Sequence, residues 1–568
     1  MYVETVPNRN SRPAILLREG WREGKQVRKR TLANLSDWPQ PKIDALRRLL
    51  GNEPLVGPSD LFSTVRSVPH GHVDAILGTI RKLGLETLIA SKRTRARDLV
   101  IAMIVDRLIH HSSKLGTTRL WKTTTLAEEL SVEDADVDAL YDALDWLLAR
   151  QAKIERGLAK QHLREGALVL YDVSSSYYYG AHCSLAQYGH DRDGKKGLPI
   201  IVWGLMTDAE GRPVAVEVYP GNTGDPTTVP DQVEKLRQQF GLSRVVLVGD
   251  RGMLTATKIE TLKQHPGLGW ISALKSPQIR RLAEQGALQL SLFDQTNLAE
   301  IHAPEYPGER LVACFNPLLA EERRRKREAL LQATEKVLAR IAREVQRRTR
   351  TPLQKEAIGL KVGRVIDHYK MAKHLALEIE DGRFAWKRQQ EAIQREATLD
   401  GIYVIRTSEA AQMLSAPETV RSYKSLSHAE RAFRCLKGLD LRIRPIRHRT
   451  EAHVPAHIFL CTLAYYVEWH MRKAWAPLLF EDDELDEDRQ TRDPVAPAKP
   501  SAAARRKKAM RVTPEGLEVQ SFETMLAVLG TRCRNTCRVR TDRSDAPTFQ
   551  QITEPTALQA KAMALLGL

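Results

Sequence analysis

Residues 167–175 read Ala-Leu-Val-Leu-Tyr-Asp-Val-Ser-Ser, an apolar run that leads into Asp172 and then into a cluster of hydroxyl side chains. Five consecutive apolar residues between a glycine turn and the serines predict a strand that is buried on both faces and ends at Asp172. Residues 244–252 repeat this arrangement, with a second buried strand that ends in Asp250 and a glycine turn. The sequence therefore predicts two carboxylates at one edge of a sheet.

The two strand-end aspartates suggest a divalent-metal site. Hard cations such as Mg²⁺ take carboxylate oxygens, and a pair of ions can bridge the attacking and leaving oxygens of a phosphoryl transfer. The alternative is that Asp172 and Asp250 each cap only the turn or helix that follows. Capping is the more common role for a single aspartate, so the metal hypothesis depends on the pair.

The composition indicates a large globular protein with a polyanionic partner. The chain has 568 residues, enough for about three to four domains. Its 42% hydrophobic and 28% charged residues exclude a disordered chain. The 87 Lys and Arg residues against 70 acidic ones leave a net charge of +17, which favours binding to nucleic-acid phosphates.

The sequence predicts a cytoplasmic protein without a membrane span. The most apolar stretch, Leu99 to Ile109, is too short to cross a bilayer and contains Asp106 and Arg107. Residues 1–30 lack the apolar core of a secretory signal, and the six cysteines are scattered, as expected in a reducing compartment. The sequence has no Walker loop and no dinucleotide fingerprint.

The order of the elements predicts a mixed α/β catalytic core. After the strand with Asp172, two strand patterns are followed by a helix, the strand with Asp250, a further helix and a further strand. These elements lie, in chain order, at residues 199–206, 213–219, 229–240, 244–250, 255–263 and 269–274. A three-strand meander followed by alternating helix and strand matches a ribonuclease H-like core, in which the acids of strands one and four converge. The third carboxylate is expected from a later helix.

Further regions surround this core. The N-terminal region is expected to hold a small antiparallel hairpin and, from about residue 41, an all-α region in which residues 137–163 form one long amphipathic helix. A basic helix and a hairpin that turns at Asp381-Gly382 form an insertion, and residues 481–515 have the composition of a linker. The predicted regions are residues 1–165 (hairpin and helical DNA-binding or association region), 166–275 (core, first part), 276–397 (insertion), 398–480 (core, second part) and 481–568 (linker and C-terminal tail).

The strongest motif is at residues 423–437, Tyr-Lys-Ser-Leu-Ser-His-Ala-Glu-Arg-Ala-Phe-Arg-Cys-Leu-Lys. It resembles the Tyr-x2-Arg-x3-Glu-x6-Lys signature of DDE insertion-sequence transposases, with Tyr423, Glu430 and Lys437 at the family's spacing. Leu426 takes the place of the expected arginine, which is similar to the group named for insertion sequence 1634. Steps of seven residues place the three matching side chains within about 40° on one helix face. Further matches are residues 172–176, 188–193, 221–223, 250–252 and 444–449, followed by His453 and His457.

The resemblance implies a DDE transposase that cuts DNA at the terminal inverted repeats of its element and joins the ends to target DNA. Asp172, Asp250 and Glu430 are then expected to hold two Mg²⁺ ions, for which Mn²⁺ can substitute. Tyr423 and Lys437 are expected to hold phosphates of the element end. The residues expected to contact DNA are Tyr423, Lys437, Arg251, Arg431 and Arg434, and Lys424, Arg431 or Arg434 could replace the missing arginine.

The resemblance also implies partners and a location. Double-stranded DNA is the expected partner, bound by a homodimer in the bacterial cytoplasm, in association with the nucleoid. Two other classes stay open: a structure-specific ribonuclease H-like nuclease, which cleaves without joining ends, and a non-enzymatic DNA-binding repressor derived from a transposase. The presence of all three acids argues against the repressor, because an inactive descendant does not need them. A surface helix with solvated Glu430 and Lys437 is the alternative to a catalytic role for that motif.

Overall fold

The fold is that of a computed structural model, which describes residues 1–9, 11–51, 61–540 and 546–568. Its strands are β1 (Tyr2–Val6), β2 (Ala14–Glu23), β3 (Gln26–Asn34), β4 (Phe62–Pro69), β5 (Ala167–Tyr177), β6 (Ile200–Asp208), β7 (Pro213–Pro220), β8 (Val245–Val248), β9 (Leu268–Ala273), β10 (Leu298–Ile301), β11 (Arg310–Phe315), β12 (Leu375–Glu380), β13 (Arg383–Arg388), β14 (Ile402–Thr407), β15 (Cys533–Val539) and β16 (Thr548–Ile552).

The α-helices alternate with these strands and dominate residues 70–165 and 416–530. They are α1 (Gln40–Leu50), α2 (Gly71–Lys82), α3 (Leu85–Ile89), α4 (Arg95–Ile109), α5 (Lys114–Leu120), α6 (Leu126–Leu130), α7 (Val137–Leu148), α8 (Gln151–His162), α9 (Val229–Glu234), α10 (Ala256–Lys263), α11 (Ser276–Glu284), α12 (Pro317–Arg347), α13 (Lys355–Tyr369), α14 (Gln390–Ala397), α15 (Ala416–Lys424), α16 (Leu426–Lys437), α17 (His453–Trp475), α18 (Leu485–Thr491), α19 (Ala502–Met510), α20 (Phe522–Gly530) and α21 (Ala557–Leu566).

One compact unit consists of residues 1–69 and 532–554. Its first sheet has the order β1-β2-β3, so the predicted hairpin is present as β2 and β3, and β1 adds a third antiparallel strand. Its second sheet has the order β16-β15-β4. The expectation of an all-α region from residue 41 is wrong at β4, because the strands of the C-terminal tail supply its hydrogen-bonding partner.

The second unit consists of residues 70–531 and 555–568 and contains an eight-stranded sheet. The strand order is β10-β11-β14-β9-β8-β5-β6-β7, with β5, β8 and β9 parallel and the other neighbours antiparallel. The meander β5-β6-β7 followed by the crossover to β8 confirms the predicted ribonuclease H-like order. The first and fourth strands of the core, β5 and β8, are neighbours in this sheet.

Both faces of the central strands are covered. Along β5, Val169 and Tyr171 belong to the main core, whereas Leu170 belongs to a second core on the opposite face. Alternate side chains of a strand point to opposite faces, so a strand buried on both sides reads as a continuous apolar run. The main core contains α17, which is buried along most of its length, and the second core contains residues of α15 and α16.

The predicted long helix over residues 137–163 is two helices, α7 and α8, which are separated at Ala149 and Arg150. The apolar spacing continues across the break because both helices face the main core. The break lets α8 pack against β7, where the buried Glu155 accepts a hydrogen bond from the Val216 amide at 3.0 Å and pairs with Lys235 at 3.0 Å. Periodicity alone cannot detect such a break.

The predicted insertion has two parts. The first part adds strands to the eight-stranded sheet, and the second part forms a separate core. Its first part, residues 276–315, adds β10 and β11 to the edge of the eight-stranded sheet. The long helix α12, α13 and the hairpin β12–β13 then form a core of their own, which includes Leu338, Val362 and Phe384. The predicted helix and the predicted hairpin are both present.

Residues 481–515 do not form an open linker. They contain α18 and α19, and Val495 between these helices is buried in the second core. The Lys424 ammonium donates to the carbonyls of Val495 and Ala496 at 3.1 and 3.0 Å, which fastens the segment to α15. Its Pro- and Ala-rich composition is typical of a linker, but one buried valine and the backbone carbonyls are enough to anchor it.

No helix within residues 1–9, 11–51, 61–540 and 546–568 is both long and apolar enough to cross a membrane.

Val495→Asp is expected to lower the free energy of unfolding by about 2–4 kcal/mol, because it buries an unpaired carboxylate. Chemical denaturation measures the loss, with Ala498→Asp, an exposed position in the same segment, as the matched control. Limited proteolysis is expected to cut the Val495→Asp variant faster within residues 481–515. Equal behaviour of the two variants would mean that the segment does not pack.

Candidate active site

Asp172 and Asp250 lie at the same level of two neighbouring strands. The parallel pairing of β5 and β8 ends with Leu170 opposite Val248, and each aspartate follows two residues later. The prediction that the first strand ends at Asp172 is wrong: β5 continues to Tyr177 because it stays paired with β6. What ends near Asp172 is the pairing with β8, and the two carboxylates emerge there.

Glu430 comes to this site on α16. The helix is amphipathic, with Ala429, Ala432 and Phe433 buried and Glu430 exposed. It packs on β5 and β6, and the ring of Phe433 lies 4.8 Å from that of Trp203. Asp172 and Ser174 share one face of β5, and α16 lies over that face, since its last residue bonds to Ser174.

Asp250 and Glu430 act electrostatically on Asp172. Burial and, to a smaller extent, the negative charges of Asp250 and Glu430 raise the pKa of Asp172 to about 7, against a hydrogen bond from the Val173 amide. The nearest compensating cation is Arg192, which is itself paired with Asp225. The site therefore concentrates negative charge that the protein leaves uncompensated, which is the condition under which carboxylates bind cations.

A different cluster brings three potential metal ligands closer together. In the part of the chain that the structure describes, the one set with ligand atoms within 4.8 Å of one another is Cys435, Asp440 and Glu468. The Arg472 guanidinium donates to Glu468 at 2.6 Å and pairs with Asp440 at 2.9 Å, so an arginine already neutralises this cluster. The oxygens of the three acids around Asp172 are further apart than this limit.

Tyr423 and Glu430 lie on two helices rather than one. Ser425 ends α15 and begins α16, so the prediction that one continuous helix face carries Tyr423, Glu430 and Lys437 is wrong. The turn at Ser425 is tight, with the His428 amide bonded to the Ser425 carbonyl at 2.8 Å. Tyr423 still faces the acids: burial raises the pKa of its hydroxyl, and the charge of Asp250 adds to the effect.

Lys437 is not a free cation in this structure. Its ammonium lies 2.8 Å from an Asp193 carboxylate oxygen and 2.7 Å from the Ser174 hydroxyl. Arg444 pairs with the same Asp193 oxygen, and the Tyr177 amide donates to the other at 3.2 Å. Asp193 thus ties α16 to the end of β5. The sequence motif predicts no role for Asp193, although this residue lies in the matching segment of residues 188–193.

The hydroxyl run after Asp172 has a structural role. The Ser175 hydroxyl accepts the Arg192 amide at 3.1 Å, and the Ser176 hydroxyl accepts the Trp203 indole N–H at 3.1 Å. The loop around Arg192 lies so close to Gly221 that a side chain on Gly189 would come 2.0 Å from the Gly221 carbonyl oxygen. The two glycines let the loop approach the end of β7, and the Ser175 hydroxyl joins the loop to β5.

The other predicted DNA contacts differ in availability. Arg251 is exposed directly after Asp250, and Arg434 is exposed on α16 with no ion pair among the described residues. Arg431 pairs with Glu481 at 2.6 Å. Lys424 is engaged with the carbonyls near Val495. Of the three candidates for the missing arginine contact, Arg434 alone has a guanidinium or ammonium that no described partner holds.

A mixed sheet of this order, with acids on β5, after β8 and on a covering helix, defines a ribonuclease H-like protein. The family model described as "Transposase DDE domain" matches residues 168–467, and that described as "IS1634 family transposase, N-terminal domain" matches residues 3–53. The first match covers more than half of the chain. The chain belongs to the DDE transposases, in the IS1634 group, and is a transposase.

A solved structure also matches the chain. This is the piggyBac transposase in a synaptic complex with hairpin DNA, which is 10% identical, with a TM-score of 0.34. The match covers 80% of this chain and 77% of the other. No curated protein matches the sequence.

Without divalent metal, Asp172→Asn is expected to stabilise the protein at pH 8 more than at pH 5. The pKa of Asp172 rises from an ordinary 3.8 to about 7 on folding, so the folded state binds this proton more tightly. The contribution of Asp172 to stability is therefore present below pH 4 and is lost as the pH rises through 7. Denaturant unfolding in EDTA at both pH values, with the exposed Asp142→Asn as control, measures the difference. A pH-independent effect of Asp172→Asn would contradict it.

Proposed function

We propose that this transposase cuts DNA at the terminal inverted repeats of its insertion sequence and joins the ends to target DNA by metal-dependent phosphoryl transfer. In this proposal Asp172, Asp250 and Glu430 are the metal ligands. The observation that carries it is that Asp172 and Asp250 lie two residues beyond the last parallel pair of β5 and β8, under the helix that bears Glu430. The raised pKa of Asp172 supports it, because a bound cation would offset the burial and the neighbouring negative charges that disfavour the ionised carboxylate.

The donor set fits Mg²⁺, with Mn²⁺ as a substitute. The three side chains offer only carboxylate oxygens, the ligands that hard divalent cations prefer. When bound, such ions supply Lewis-acid polarisation of the phosphate and neutralise charge on the attacking and leaving oxygens. Because the oxygens are not yet within 4.8 Å of one another, binding requires side-chain rotation, and the exposure of Asp250 and Glu430 allows it.

The remaining residues position the DNA in this proposal. Tyr423 keeps its proton, since burial and then the charge of Asp250 raise its pKa, so its hydroxyl can donate a hydrogen bond to a phosphate. Arg251 and Arg434 offer exposed guanidinium groups, which bind phosphate oxygens in a bidentate manner. Lys437 acts mainly as a positioning residue through Asp193, and Arg431 contacts DNA only if it leaves Glu481.

A basic cavity beside Arg251 supports a DNA path between the core and α12. It has a volume of about 360 Å³ and lies between α11, α12 and the segment before β12. Its basic lining residues are Arg251, Arg280, Arg323, Lys326, Arg327 and Lys373. Asp400 neutralises Arg327 and Glu396 pairs with Lys373, whereas Arg251, Arg280, Arg323 and Lys326 extend the positive surface away from Asp250. Phosphate neutralisation by such residues is the general source of DNA affinity.

A strand-transfer assay distinguishes the proposed transposition from the alternative nuclease activity. A structure-specific nuclease would release cut ends without joining them, so strand-transfer products on a target plasmid distinguish the two activities.

We also propose that a homodimer binds two element ends. Light scattering of the complex with paired end duplexes tests this, and one protein per active complex would contradict the dimer.

Asp172→Asn, Asp250→Asn and Glu430→Gln are each expected to lower cleavage of end DNA by at least about 10³-fold, since each removes a catalytic group. DNA affinity should stay near wild type, measured by mobility shift in Ca²⁺, which supports binding without turnover. Asp142→Asn is the exposed control. Near wild-type nicking by either aspartate variant would remove the metal assignment.

Arg434→Gln is expected to weaken binding to end DNA and to reduce the salt slope of log affinity by about one unit, the amount expected for one phosphate contact. Arg431→Gln on the same helix is the matched comparison and should change the slope less, because Arg431 is paired with Glu481. Titrations at several salt concentrations measure both slopes. A larger effect of Arg431→Gln would reverse the assignment.

A further inference from the structure

A second basic cavity lies in the main unit, away from α12. It has a volume of about 330 Å³ and is formed by the segment between α4 and α5, by Tyr141 of α7 and by the segment that leads into α17. Its charged and imidazole-bearing lining residues are Arg107, His111, Lys114, Arg442, Arg444, Arg447, His448 and His457. Among the residues that the structure describes, no carboxylate lines this cavity, although acids make up a large share of the chain.

Lys114 differs from the exposed cations of this set because it is buried. Its residue is only 5% exposed, and no hydrogen bond or ion pair joins its ammonium to any residue within the described ranges. The nearest acid, Asp106, is already bonded to the Thr117 hydroxyl at 2.6 Å and to His110 at 2.9 Å. Burial and, to a smaller extent, the charge of Arg107 lower the pKa of Lys114 to about 7. A buried ammonium without a counter-ion has a high desolvation free energy, and a bound anion would offset that cost.

The imidazoles of the cavity carry no competing charge, and the N–H groups of His111 and His457 are directed to backbone carbonyls. Burial lowers the pKa of His448 to about 3 and lowers that of His457 well below its usual range, so both rings are neutral. The Nδ1 atom of His448 is buried without a hydrogen-bond partner among the described atoms. His457 Nε2 lies 3.2 Å from the Ile443 carbonyl. His448 thus adds a second polar atom without a described partner to the residues that line the cavity.

The cavity is joined to the candidate active site through β5. Ile446, in the segment that lines the cavity, bonds to the backbone of Tyr177 and Tyr179 just beyond the end of β5. Arg444 pairs with Asp193, which Lys437 connects to Ser174, two residues from Asp172. The segment that lines the cavity is therefore bonded to the end of the strand that carries Asp172.

We propose that this cavity is a binding site for a phosphate group of the DNA backbone, separate from the acids and from the basic cavity at α12. The proposal rests on the proposed function for the identity of its ligand, since DNA is the polyanion that the function supplies. Lys114, Arg442 and Arg447 line this one space, and their N–H groups suit an oxyanion, which offers several acceptor oxygens. Arg442 and Arg447 at the rim are exposed and can guide the backbone toward Lys114.

The first test uses inorganic phosphate as the probe and the full-length protein. Calorimetric titration is expected to detect one phosphate site in the wild type and at least a tenfold weaker one in Lys114→Met. Lys122→Met, which removes an exposed lysine a few residues away, is the charge-matched control and should bind like the wild type. Lys114→Met should fold, since it replaces an unpaired buried charge with an apolar side chain of similar length, and Arg442→Gln is a second variant at the rim.

The second test identifies the source of the phosphate. Duplex DNA is expected to compete with inorganic phosphate for the wild type, and Lys114→Met to reduce the salt slope of DNA binding by about one unit. Wild-type protein that binds no phosphate at millimolar concentration would overturn the site. Phosphate binding that Lys114→Met does not weaken would place it elsewhere, and phosphate binding that DNA does not displace would make a free phosphate compound the ligand.

These outcomes are distinguishable from a failure of the proposed function. Phosphate titration needs neither divalent metal nor cleavage, so it can be repeated on Asp172→Asn, where the affinity is expected to be unchanged. If cleavage proves independent of the three acids but phosphate binding still depends on Lys114, the metal assignment fails and the phosphate site stands.

Discussion

The parallel pairing of β5 with β8 is the constraint on which the rest of the site depends. Because the pairing ends with Leu170 opposite Val248, Asp172 and Asp250 leave it at the same level. A shift of one residue in this register would turn one carboxylate to the opposite face of the sheet. The register is held by apolar side chains on both faces, since Val169 and Leu247 pack in the main core while Leu170 and Val248 pack in the second.

Concentrating acids at this point has an electrostatic cost, and the protein balances it unevenly. Asp172 has a raised pKa. Asp193, in contrast, is neutralised by both Lys437 and Arg444. The buried pairs fix α16 and the segment before α17 to β5, so they set the geometry around the uncompensated acids. The contrast between a neutralised carboxylate and an uncompensated one separates the structural acid from the candidate metal ligands.

The basic residues also fall into two groups, those that described partners hold and those that they do not. Lys424, Arg431 and Lys437 are held by carbonyls or carboxylates and stabilise the arrangement of α15 and α16. Arg251 and Arg434 remain exposed beside the acids, and Lys114 is buried in a separate cavity without a partner in the described part of the chain. A net charge of +17 therefore does not describe one uniform surface. It is the sum of cations that hold the fold and cations that are available to phosphates.

The sequence by itself determined the strand order of the core, the three acids and the motif of residues 423–437, because apolar runs, turn residues and fixed spacings are local signals. It could not determine that β5 continues past Asp172, that Ser425 divides the motif between two helices, or that Val495 anchors an apparent linker. Those features depend on which distant backbone or side chain supplies the partner. Whether Lys437 is free or bound to Asp193, 244 positions away, was likewise decided only by the tertiary structure, because local spacing carries no information on contacts at that separation.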